Sequence, residues 1–111
     1  LRKAKLDKAR IELDKTRRNK SLLEDQLNLQ ENQLKYELRS AMENYQTQKE
    51  NVAVAKSVYN SYYNKYKQGM LSSLDLTQAN SNYLQAENNY LSAVLKMLQA
   101  RLALEKLYNT I

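Results

Sequence analysis

The chain contains no proline, and its single glycine stands at position 69 of 111 residues. Proline and glycine punctuate most folds, so this sequence has room for one sharp turn with long uninterrupted helices on either side. Cysteine and histidine are both missing. That excludes a disulfide scaffold, a Cys/His zinc site and histidine-based catalysis. The apolar residues are mainly Leu, Ala and Tyr, and 27% of the chain is charged, a balance that suits exposed helices better than sheets. The expected fold is all-α: a long antiparallel coiled-coil hairpin of two unequal helices, about 2–68 and 73–109, joined by a tight Gly-containing turn.

Hydrophobic periodicity supports this reading. In the first helix apolar residues recur at alternating steps of three and four through Leu23, Leu27, Leu34, Leu38, Ala41, Tyr45, Val52, Ala55, Tyr59, Tyr62 and Tyr66, preceded by Leu6, Ala9 and Leu13. Thr16, Lys20, Gln30 and Gln48 fill the gaps, and the steps from Gln30 to Leu34 to Leu38 read as a stutter that locally unwinds a left-handed coiled coil. Beyond the turn the stripe runs unbroken from Leu76 through Ala79, Tyr83, Ala86, Tyr90, Ala93, Met97, Ala100, Leu104 and Leu107 to Ile111.

Chemistry specifies the turn. Gly69 suits the left-handed residue that closes a helix, Lys65 and Lys67 offset the negative end of the helix dipole, and Ser72 with Asp75 three residues on reads as a capping box. At 1.5 Å per residue the helices are roughly 100 Å and 55 Å long. Folding back at the turn pairs residues whose numbers sum to about 142, such as Tyr59 with Tyr83, Val52 with Tyr90 and Tyr45 with Met97. The first thirty residues are then left with an apolar stripe and no partner. A second row on the short helix, Leu84, Leu91, Leu95, Leu98 and Leu102, makes the same demand for lateral packing. Self-association through residues 1–30 is one expected response.

The net charge of +6 is carried by the first twenty residues, where nine Lys and Arg face only Asp7, Glu12 and Asp14. Phosphate binding is one reading of such a segment. A solvated helical face is preferred, because acids and the apolar stripe interrupt the charge and no base-stacking group lies within it. Tyrosine supplies all nine aromatics and suits a half-wet seam. No catalytic, cofactor or metal site is expected, since a two-helix rod offers no pocket in which titratable groups converge. The apolar pair Met70 and Leu71, at the apex of a polar hairpin, is the feature that turn chemistry does not require.

Residues 66–108, YKQGMLSSLDLTQANSNYLQAENNYLSAVLKMLQARLALEKLY, resemble the second helical hairpin of the TolC family of outer-membrane efflux channels. The preceding helix, with KAKLDKARIELD at 3–14 and AMENYQTQKENVAVAKSVYNSYYNKY at 41–66, is similar to the long periplasmic helix that enters that turn. The resemblance implies a fragment of the periplasmic tunnel domain of a larger protein, with residues 1–111 forming one hairpin. The full-length protein would be a homotrimer in the outer membrane of a Gram-negative bacterium, serving efflux or type I secretion. It would carry no cofactor and no enzymatic activity. Its partners would be a periplasmic adaptor and, through it, an inner-membrane transporter, with no nucleic acid. By position, the adaptor would dock at Gln68, Gly69, Met70 and Leu71. Tyr66 and Asp75 match residues near the tunnel entrance, where three copies of Asp75 would favour cations, although helix capping also explains Asp75. The alternative is a structural coiled-coil scaffold, associated with nucleic acid through its basic N-terminal helix.

Overall fold

A computed structural model describes residues 1–110 as two helices, α1 (Arg2–Lys67) and α2 (Ser73–Thr110). Their bounds lie within a residue of those expected; Ile111, the last residue of the expected stripe, lies outside the described residues. The helices pack antiparallel into a rod of 101 × 18 × 15 Å. Tyr59 meets Tyr83 with tilted rings, their centroids 5.9 Å apart, as the folded-back numbering requires.

The seam follows the heptads. In α1 the half-buried residues run Leu27, Glu31, Leu34, Leu38, Ala41, Tyr45, Gln48, Val52, Ala55, Tyr59 and Tyr62, strictly four and three apart. Glu31 therefore takes the seam position expected of Gln30, and the stutter between residues 30 and 38 is absent. The physical reason is the heptad step: Leu27, Glu31 and Leu34 keep the alternation of four and three that holds the seam facing α2, while Glu31 pairs within its own helix with Lys35 at 2.7 Å. Gln48 is satisfied within its own helix, donating to Asn44 Oδ1 at 3.2 Å and accepting from Asn51 at 3.4 Å. Tyr66, expected on the stripe, is exposed in the last turn of α1.

Among the described residues only Ala79, Ala93 and Leu107 are buried, all on α2. Two helices cannot enclose a large side chain, so the residues that disappear from water are mainly small ones lying where the backbones approach most closely. The larger side chains are half-covered and use their polar ends. Tyr90 illustrates this: its hydroxyl donates to the Tyr45 hydroxyl at 3.4 Å, and the two rings lie 5.6 Å apart. This contact reaches one heptad beyond the expected Val52 level, because two long rings converge diagonally across the seam. Phenols of this kind pack an apolar ring while keeping the hydroxyl partnered.

Residues 1–26 of α1 are exposed throughout, an overhang of about 40 Å of helix. Leu84, Leu91, Leu95, Leu98 and Leu102 are exposed as well. They recur seven, four, three and four apart, away from the seam, and give α2 a second apolar row at coiled-coil spacing. No helix among the described residues is long and apolar enough to cross a membrane.

Candidate functional site

The tip is built from two helix ends that each satisfy their own backbone. Gln68 closes α1 with φ −86° and ψ 2°. Gly69 follows at φ +74°, the left-handed region that side chains disfavour. Its N–H donates to the Tyr66 carbonyl at 3.0 Å, and the Met70 N–H donates to the Lys65 carbonyl at 2.9 Å. This pair of bonds is the Schellman arrangement, which stops a helix and turns the chain away from its axis. Lys67 lies over the Tyr63 ring, its ammonium 4.6 Å from the centroid, a cation–π contact that also keeps positive charge at the helix C-terminus.

Ser72 opens α2. Its hydroxyl oxygen accepts from the Asp75 N–H at 3.2 Å, and its carbonyl accepts from the Leu76 N–H at 3.2 Å. The capping expected from Ser72 and Asp75 is thus present in its serine half. Leu71 and Leu76 occupy the two positions of a hydrophobic staple around this cap, and both are half-buried. This separates the apolar pair at the apex. Met70 is 73% exposed, whereas Leu71 is folded in and fixes the angle at which α2 begins.

Exposed apolar surface at the tip comes instead from Met70 and Leu74, the latter 76% exposed. Leu74 lies off the seam set by Leu71, Leu76 and Ala79, and that spacing was the signal available for it in the sequence. Gln68, Gly69 and Asp75 are exposed beside them, and Tyr66 stands at 43% exposure one turn below the apex. The tip therefore gathers the four docking candidates and both entrance candidates at one end of the rod. Its chemistry is a small apolar surface ringed by amide, hydroxyl and carboxylate groups.

Elsewhere, an open groove of about 500 Å³ lies between the helices, lined by Tyr36, Ser40, Ala41, Lys96, Ala100 and Ala103 among others. Small residues create it. Among the described residues no three carboxylates converge to hold a cation.

Comparison with known proteins gives one family. The sequence pattern described as outer membrane efflux protein matches residues 34–110, more than two thirds of the chain. The match takes in the tip and the seam except for its Leu27 and Glu31 end, and leaves out the basic overhang. No curated protein and no solved structure matches. With the hairpin, its turn and most of its length covered by that match, the chain belongs to the outer membrane efflux protein family, channel proteins of the Gram-negative outer membrane.

Proposed function

We propose that this hairpin is a segment of the wall of a periplasmic export tunnel and that its tip docks a periplasmic adaptor protein. The observation that carries the reading is the pair of uncovered apolar rows on a rod about 100 Å long. A free-standing hairpin has no use for the exposed leucines on α2. In a closed wall they pack against neighbouring helices, just as the seam packs α2 against α1. Three copies of the full-length protein would complete such a wall, and cargo would pass through it without chemistry.

At the tip, Met70 and Leu74 offer an apolar anchor, with Gln68 and the bare backbone at Gly69 beside it. Interfaces concentrate their energy in a few anchors of this kind. Leu71 serves by setting the turn. Tyr66 and Asp75 lie close enough to the apex to line the entrance, where a threefold ring of Asp75 carboxylates would favour cations.

The test is to charge the anchor without touching the staple. Met70→Asp with Leu74→Asp in the full-length protein is expected to abolish export while leaving its amount and its melting temperature unchanged. Retained drug or protein export in that variant would argue against docking through the tip. Leu71→Asp is the contrasting change, expected to lower stability as well.

A further inference from the structure

All nine aromatic residues of this chain are tyrosines, and it has neither cysteine nor tryptophan. Without thiols no disulfide can tie its helices together. Without an indole, a one-electron oxidant that attacks an aromatic side chain must take the electron from a phenol. The fold decides which phenols can then meet. Tyr45 of α1 and Tyr90 of α2 face each other across the seam, with ring centroids 5.6 Å apart at an interplanar angle of 34° and hydroxyl oxygens 3.4 Å apart. That contact converges the ring carbons beside each hydroxyl-bearing carbon, where a phenoxyl radical carries much of its unpaired spin. Both residues are half-buried, so electrons and protons can leave to water while two long helices hold the rings in place.

The other tyrosine contacts lack one of these features. Tyr59 and Tyr63 stack 6.2 Å apart within α1, so a bond between them would join nothing across the seam. Tyr59 and Tyr83 do cross it, at 5.9 Å and 38°. Among the described residues, however, the hydrogen bond that joins two phenols is the one between Tyr90 and Tyr45. Tyr36, Tyr66 and Tyr108 are exposed and would couple through encounters between molecules.

We propose that Tyr45 and Tyr90 form an oxidative cross-linking site, at which a one-electron oxidant regenerated by a peroxide joins the two rings as a dityrosine that clips α1 to α2. Each phenol gives up one electron and one proton and becomes a phenoxyl radical. The two electrons and two protons together reduce one hydrogen peroxide to two waters. The radicals combine through a carbon–carbon bond between ortho positions. The hydrogen on each newly bonded carbon then leaves as a proton, and a proton returns to each oxygen, which restores both phenols. Coupling is favoured because a held contact replaces a diffusional encounter. The bond closes the chain between residues 45 and 90 through the tip and restricts the unfolded state as a disulfide does. The inference rests on the seam geometry and is independent of docking at the tip.

The test illuminates the full-length protein with tris(bipyridine)ruthenium and persulfate, a peroxide that is reduced to two sulfates in place of hydrogen peroxide. Trypsin cuts after Lys and Arg, which leaves Tyr45 as the one tyrosine of fragment 40–49 and places Tyr90 in fragment 68–96. The expected product is these two fragments joined, lighter than their sum by two hydrogens, with the bond at Tyr90. It is expected in a band at the mass of a single chain on a denaturing gel, in at least about tenfold greater yield than any other tyrosine pair. Tyr90→Phe keeps the ring in the seam and is expected to abolish the product, whereas Tyr59→Phe is expected to leave it intact. A bond at Tyr83 instead of Tyr90, or undiminished joining of the two fragments in Tyr90→Phe, would overturn the proposal. So would coupling confined to exposed tyrosines of separate chains.

Discussion

Gly69 is the residue on which the hairpin turns. A Cβ placed there would meet nothing within 4 Å, yet the backbone sits at φ +74°, so any cost of substitution is conformational rather than steric. Gly69→Ala is expected to lower stability by about 1 kcal/mol, the penalty for an L-residue in the left-handed region, and Gly69→Asn by less. An unchanged urea midpoint for Gly69→Ala would remove the assignment. Three further residues tie stability to alkaline pH. The Tyr90 phenol is held above its usual 10.0 by its hydrogen bond to Tyr45, and the Tyr83 phenol by its hydrogen bond to Glu87. Lys35 is raised above 10.5 by the hydrogen bond and charge of Glu31. In each case the folded state holds its proton more tightly than the unfolded state. The stabilisation is therefore complete below about pH 10 and is lost as pH rises through the folded-state values. The denaturation midpoint is expected to be level from about pH 7 to 9 and to fall above about pH 10. Tyr83→Phe with Tyr90→Phe should flatten that fall, and a midpoint that climbs above pH 10 would contradict the assignment.

Each helix depends on a seam in which small residues matter more than large ones. Ala93, only 1% exposed, is buried against α1 in the seam. Ala93→Leu is expected to push the helices apart and cost about 1–3 kcal/mol, read as a lower urea midpoint; a neutral result would mean the contact is looser than its burial implies. At this scale the sequence was largely legible, because an unbroken three–four rhythm, one glycine and a serine cap leave little choice about where helices run. What it hid were choices between polar neighbours. Gln30 and Glu31 look alike to a reading that follows apolar atoms, and the alternation of four and three, which passes through Glu31, decides between them. Leu71 was hidden differently. As one of two apolar residues in a turn it read as a docking surface, while its place before the Ser72 cap makes it a staple. Leu74 was legible from its spacing off the seam, which leaves it 76% exposed.

At the scale of the whole molecule the hairpin is an unfinished object. It is a rod with one covered seam, an exposed leucine row and an overhang of some 40 Å, and residues 34–110 match the outer membrane efflux protein family. The basic overhang lies outside that match. The tip collects every candidate docking and entrance residue at one end, so a wall built from such rods would present those residues as a ring. The most direct test of this account is to fractionate the source cells, probe with an antibody against residues 34–110, and read both compartment and size. The account predicts that the full-length protein runs with the outer membrane at the mass of a trimer. A cytosolic band at any size would contradict it.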